Sequence, residues 1–234
     1  MAKIRTASDN YKNVILSTKT DFTIVESYKI LRTNLLFAIS TTKSKTFLVS
    51  SIEPYAGKTV TSSNLAITLA QTGAKTLLLD ADMRKPSQHK IFKLKNNNGL
   101  SHVLSGLKHL DCVIKKEVLH NLDVILSGYI PPNPSELLGS KNMQTFLELI
   151  EKAYDYVVID TPPIGVTTDA LTIIDRTAGL LLVCRYKKTT YDMIGRAIEM
   201  TENVNGTLLG VVINDISQKK NEAYKLSNKH NYGE

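Results

Sequence analysis

Six short runs of apolar residues punctuate the chain: TFLVSS (46–51), KTLLLDA (75–81), LDVILSG (122–128), YVVIDT (156–161), GLLLVCR (179–185) and LLGVVIN (208–214). Most are continuously hydrophobic rather than alternating. A strand with one wet face alternates, whereas a strand covered on both faces does not. The runs therefore predict a mostly parallel sheet sandwiched between helices. Helical patterns fill the intervals: TVTSSNLAITLAQTG (59–73) closed by Gly73, SKNMQTFLELIEKAYD (140–155), and TTYDMIGRAIEMTENVNG (189–206) closed near Gly206. Strand and helix in repetition give an α/β fold with a doubly wound, mostly parallel sheet. Ligands of such sheets bind outside the carboxyl ends of the strands.

The 234 residues are enough for one large α/β domain or two small ones, and 42% hydrophobic content against 22% charge supports a packed core. No run approaches the ~18 apolar residues of a membrane helix, and MAKIRTASDN lacks the apolar centre of a secretory leader. Cys112 and Cys184 have no metal-like spacing and stand in apolar surroundings, so both are expected to be buried thiols of a reducing compartment.

The net charge of +7 owes much to the first 45 residues, where Lys3, Arg5, Lys12, Lys19, Lys29, Arg32, Lys43 and Lys45 face only Asp9, Asp21 and Glu26. Such an arm suits an anionic membrane surface, an acidic partner or plain solvation. Nucleic acid is not expected, because no helix-turn-helix, zinc site or aromatic-interleaved basic ladder accompanies it. VESYKILRTNLLFAIS (25–40) carries Tyr28, Leu31, Leu35 and Ile39 in one helical stripe, fit for packing on the parent domain or for a partner. The layout is then a basic arm with an interface helix (1–45), a core domain (46–215), and a polar, flexible tail with tyrosines (216–234).

The chemistry gathers at strand ends. SSIEPYAGKT (50–59) follows one strand and opens a helix, the setting of a phosphate-binding loop G-x-x-x-x-G-K-[ST]. It departs at its start, where Ile52 occupies the first glycine position. Backbone N–H groups from Ala56 through Gly57 to Val60 suit phosphate, Lys58 reaches terminal phosphates, and the Thr59 hydroxyl suits Mg²⁺. In LLLDADMRKP, Asp80 and Asp82 stand two apart and point to one side, an arrangement that asks for a cation or a proton unless it is an ordinary acidic turn. Asp160 ends another strand in YVVIDTPP. Thr59, Asp82 and Asp160 fit the oxygen set that Mg²⁺ prefers.

Together these pieces resemble the deviant Walker-type ATPases, the P-loop NTPase branch that includes MinD and ParA. DADMRKP (80–86), PPNPSELLGS (131–140), VVIDTPPIGVTTDA (157–170) and LGVVIND (209–215) narrow the resemblance to the bacterial tyrosine kinases of capsule and exopolysaccharide synthesis, colinear from about residue 22 to residue 215. The resemblance implies an autophosphorylating protein-tyrosine kinase using ATP and Mg²⁺. Catalysis would rest on Lys58, Asp80 and Asp82, with Asp80 taking the acceptor's proton. Thr59, Asp82 and Asp160 would hold the metal. Ala56, Gly57, Lys58, Thr59 and Val60 would cradle the nucleotide, with Asn214 at adenine or simply ending a strand. Arg84 and Lys85 would steady phosphate charge, bind an acidic loop, or stand exposed in a turn.

The resemblance also implies phosphoacceptors Tyr224 and Tyr232, fewer than the tyrosine cluster of relatives. A ring-like homo-oligomer would form through Glu26, Lys29 and Arg32, where lysine replaces the middle arginine of E-x-x-R-x-x-R and loses its bidentate fork. Partners would be a transmembrane chain-length regulator acting as activator and a cognate tyrosine phosphatase, with the chain cytoplasmic and peripheral at the inner membrane face. The 18 residues after Ile216 span roughly 60 Å when extended, enough to reach a neighbouring subunit. Tyr55 replaces a loop glycine of relatives; a left-handed tyrosine costs about 1–2 kcal/mol, so the loop is expected to avoid that conformation and to bind nucleotide somewhat weakly. The alternatives are a MinD/ParA-like ATPase, which would usually carry an extra lysine near Ile52 or Glu53, and a non-catalytic scaffold of the export machinery.

Overall fold

The computed structural model describes residues 15–216. In chain order the elements are α1 (Phe22–Ala38), β1 (Thr46–Ser51), α2 (Lys58–Ala70), β2 (Thr76–Asp80), α3 (Gln88–Ile91), α4 (Leu100–Leu104), β3 (Ile114–Leu119), β4 (Leu122–Ile125), α5 (Pro134–Leu138), α6 (Lys141–Ala153), β5 (Tyr156–Asp160), β6 (Leu180–Arg185), α7 (Tyr191–Glu202) and β7 (Leu208–Asn214). The strands form one seven-stranded sheet in the order β3-β4-β2-β5-β1-β6-β7. All neighbours are parallel except β3, which runs antiparallel to β4 at one edge. The six apolar runs are the six parallel strands, and the sequence reading missed β3.

The continuous apolar runs divide by parity. Leu77, Leu79, Val157, Ile159 and Leu182 point into one core layer, which α4 to α7 cover. Leu78, Val158, Val49 and Val183 point into the other, under α1 and α2. Each such side chain is worth about 1.5–3 kcal/mol on burial, so neither face tolerates a polar run. β3 reads IKKEVL, with Lys116 and Glu117 exposed. That polarity suits an edge strand and hid it from a search for apolar runs.

α1 packs on the parent domain. Asp21 caps it by accepting from the Thr23 amide at 2.8 Å. Leu35 and Ile39 are buried, and Tyr28 and Leu31 pack beside them. The Tyr28 hydroxyl bonds to Asn64 and Thr61 of α2, and burial raises its pKa. Arg32 Nη1 donates to the Thr68 carbonyl at 2.7 Å, and the Leu16 amide to Asn64 Oδ1 at 2.9 Å. Cys184 is buried, but Cys112 is exposed, contrary to expectation. Cys112 ends a single 3-10 turn, Leu110–Cys112, in which Leu110 makes the inward contact and the following Val113 fills the core. No described helix is long and apolar enough to cross a membrane. Lys3, Arg5, Lys12, Tyr224 and Tyr232 lie outside the described residues.

Candidate active site

The phosphate loop joins β1 to α2 and is tied down at several points. Ser51 Oγ donates to the Glu53 carbonyl at 2.6 Å, and the Thr189 hydroxyl donates to Glu53 Oε1 at 2.7 Å. Asn214, at the end of β7, donates from Nδ2 to the Ala56 carbonyl at 2.9 Å. Gly57 has φ +96°, where a side chain would be strained, and a Cβ there would lie 2.0 Å from Asn214 Nδ2 and push it off the Ala56 carbonyl. Ile52 is buried in the core, and Gly165 lies against its carbonyl, 2.3 Å from where a Cβ would stand. An apolar anchor under the β5 loop thus replaces the first glycine of the general pattern. The first-turn N–H groups of α2 have no partners within the helix.

Tyr55 contradicts the expectation drawn for it. Its φ is +63°, the left-handed conformation of the glycine it replaces. Its side chain is 86% exposed. The loop keeps glycine-like geometry and stores the strain, because its anchors on both sides leave the backbone no other path.

Lys58, the first residue of α2, meets the carboxylates of two strand ends. Its Nζ lies 2.7 Å from Asp82 Oδ2 and 3.8 Å from Asp160 Oδ1. Thr59 follows, its hydroxyl 3.5 Å from Lys58 Nζ. Asp160 and Asp80 are fully buried, and Asp82 nearly so. Burial alone would lower the Lys58 pKa, but Asp160 and Asp82 outweigh it and hold Lys58 above its ordinary value. Asp80 is pushed well above the usual carboxylate range, first by burial and then by Asp160 and Asp82. Asp160 is raised by burial against the opposing pull of Lys58. One lysine thus faces three carboxylates, a cluster that calls for a further cation or a proton.

The two aspartates of β2 differ in access. Asp80 accepts from the backbone amides of Asp82 and Gln88, each at 3.2 Å. Asp82 lines a cavity of about 400 Å³ together with Lys58, Thr59 and Lys85. Asp80, expected to meet the acceptor, is fully buried and is not part of the cavity's lining. The cavity's apolar side comes from Pro54, Tyr55, Pro162, Pro163 and Val166. Val60 also lines it, Gly57 forms its floor, and Asn214 braces the loop from outside.

Arg84 is not a free cation. Its Nε and Nη2 both reach Asp169 at 2.9 Å, a bidentate pair, and Ser135 donates to Asp169 at 2.6 Å. This knot joins the β2 loop, the PPNPSELL turn and the loop after β5. In that turn Pro134 opens α5 after Asn133, whose side chain makes no capping bond.

Gln88 escaped the sequence reading. Fully buried, it donates from Nε2 to Asp160 Oδ2 and to Ser62 Oγ, both at 3.0 Å, and accepts from Ser63 at 2.8 Å. A glutamine in a polar turn gives no signal by pattern. On α1, Glu26 pairs with Lys29 at 2.7 Å, both partly exposed, while Arg32 is turned to α2.

A model of the AAA domain family matches residues 45–209. The chain is 38% identical over 202 residues to the protein of Staphylococcus aureus named "Putative tyrosine-protein kinase CapB", covering 86% of this chain and 89% of that one. It is 38% identical over 213 residues to the tyrosine-protein kinase YwqD of Bacillus subtilis, covering 91% and 90%. The crystal structure of the chimerical protein CapA2B2 superposes with a TM-score of 0.80 at 36% identity, covering 86% of this chain and 87% of that one. The chain belongs to the family of bacterial tyrosine-protein kinases built on the P-loop ATPase fold.

Proposed function

We propose that this chain transfers the γ-phosphoryl group of ATP to tyrosine hydroxyls, including Tyr224 and Tyr232 of its own kind, and so regulates the synthesis, chain length and export of a capsular or extracellular polysaccharide. The observation that carries the reading is the meeting of Lys58 with Asp82 and Asp160, from the carboxyl ends of β2 and β5, beside a cavity that Lys58, Thr59 and Asp82 line. Phosphoryl transfer passes through a loose transition state, so the protein's task is positioning and charge neutralisation.

In this reading the amides of residues 56–60 hold the nucleotide phosphates, Lys58 carries charge at the terminal ones, and Asn214 keeps the loop in register beside the adenosine. The residues fit Mg²⁺: Asp160 Oδ1 is buried without a hydrogen-bond partner, and the Thr59 hydroxyl adjoins it. Thr59, Asp82 and Asp160 would hold the ion, which when bound neutralises charge shared between the phosphates. Among the described residues no group of three or more His, Cys, Asp or Glu forms a metal cage. Asp82, at the cavity wall, is assigned the acceptor's proton: the phenol O–H breaks toward its carboxylate as the oxygen joins phosphorus and ADP leaves. Asp80 positions Asp82 through its backbone amide.

The apolar slot of Tyr55, Pro163 and Val166 suits an incoming phenol ring. Residues 46–215 would form the kinase domain, 216–234 the acceptor tail, and 1–45 the arm whose Glu26, Lys29 and Arg32 join subunits in a ring. The partners would be a transmembrane activator and a tyrosine phosphatase, at the inner face of the membrane. Incubation with ATP and Mg²⁺, with the activator's cytoplasmic segment present, followed by phosphopeptide mapping tests this. Phosphate on Tyr224 or Tyr232 is expected; a tail without phosphate would remove it as substrate.

A further inference from the structure

Between Asp82 and Asp111 the chain has no Asp or Glu, yet it carries Arg84, Lys85, Lys90, Lys93, Lys95 and Lys108. The first five are exposed. Among the described residues no carboxylate pairs with Lys85, Lys90, Lys93 or Lys95. Their placement follows from what anchors the segment. It leaves the end of β2, where Lys85 lines the catalytic cavity. It arrives at Asn96, whose side chain both donates to the Gly128 carbonyl and accepts from the Gly128 amide at 2.9 Å, just past β4. In between, Ile91 is buried and Phe92 and Leu94 pack on the core, while Lys90, Lys93 and Lys95 turn out. The segment is a run of exposed cations that starts in the cavity wall at Lys85 and ends beside Gly128, past the carboxyl end of β4.

We propose that this strip selects acidic polypeptide around the acceptor tyrosine, so that the foreign substrates of this kinase carry Asp or Glu beside the tyrosine they offer. The inference rests on the kinase reading above. The chain's own tail does not match the strip: residues 217–234 hold four lysines against two glutamates. Tethering within an assembly raises the tail's effective concentration and offsets that mismatch. A free substrate has no such help and gains from complementary charge. A membrane is the weaker occupant, since a bilayer lying on a strip that begins at Lys85 would cover the cavity mouth.

The test uses the full chain and three synthetic peptides with one central tyrosine flanked by Glu, Gln or Lys. The triple variant Lys90→Ala, Lys93→Ala, Lys95→Ala leaves the catalytic groups untouched. Exposed pairs are worth about twofold each, so kcat/KM should fall about tenfold from the Glu to the Lys peptide, chiefly through KM. The preference should collapse at high salt and in the triple variant, with turnover of the Gln peptide unchanged. Fluorescence anisotropy of the labelled Glu peptide reads binding without turnover and should show the same loss. Equal use of the three peptides, a preference that survives the triple variant, or unchanged peptide binding would overturn the proposal. So would a variant that loses affinity only for phosphatidylglycerol vesicles. Failure to phosphorylate any of the three peptides while the Glu peptide still binds selectively would count against the kinase reading and not against the strip.

Discussion

Tyr55 offers a quantitative test of how the phosphate loop is held. Its φ of +63° is a conformation that glycine adopts freely. Its side chain is 86% exposed, so truncation removes little packing. Relief of left-handed strain in Tyr55→Gly gains about 1–2 kcal/mol, and the added freedom of the unfolded chain costs about 0.4–1 kcal/mol. The net is a gain of about 0.8 kcal/mol, or about 2–3 °C in Tm for a domain of this size. Tyr55→Ala keeps the strain and should lie at or below wild type. Thermal and urea unfolding of the three proteins, without nucleotide, should rank glycine above wild type and alanine last. Calorimetry should show ATP affinity at least equal to wild type in Tyr55→Gly, because the backbone already has glycine's shape. A glycine variant no more stable than the alanine variant would refute the claim that the loop's anchors impose the strain.

Two further perturbations follow from the buried charges. Arg84→Ala strands the fully buried Asp169 carboxylate and should cost about 3–5 kcal/mol, whereas Asp169→Ala frees an arginine whose side chain is 40% exposed and should cost about 1–3 kcal/mol; urea midpoints in the opposite order would contradict the assignment. Because the folded-state pKa of Asp80 is raised above the ordinary 3.8, its contribution to stability is fully present below that value and lost as pH rises through the raised one. The Tm of Asp80→Asn relative to wild type should therefore climb as pH rises above 3.8 in the nucleotide-free protein, and a constant difference would show that Asp80 does not titrate out of place.

The parallel strands were legible because double-sided burial leaves no room for polar residues; β1 and β7 have the bounds read from their runs. β3 was not, since an edge strand with one open side can carry Lys115, Lys116 and Glu117. The helices α3, α4 and α5, each of four or five residues, are too short to show a period and form because their neighbours hold them. Lys58, Thr59, Asp82 and Asp160 stood out because strand ends and a helix start are where acidic and phosphate-binding groups are informative. Gln88 and the pairing of Arg84 with Asp169 depend on contacts 72 and 85 residues apart, which no local pattern encodes. Tyr55 was misjudged because its local cost was weighed without the anchors at Glu53 and Ala56 that impose it.

The reading stands or falls on whether Lys58 and its facing carboxylates move phosphate from ATP to a phenol. Labelled γ-phosphate, counted in phosphotyrosine and in free phosphate from one reaction of the full chain with its activator segment, measures that step. Phosphotyrosine should form in wild type and drop about 10²–10³-fold in Lys58→Met, as losing a charge-stabilising group at the transition state does. Phosphotyrosine undiminished in Lys58→Met, or label released from ATP by wild type with none on tyrosine, would contradict it.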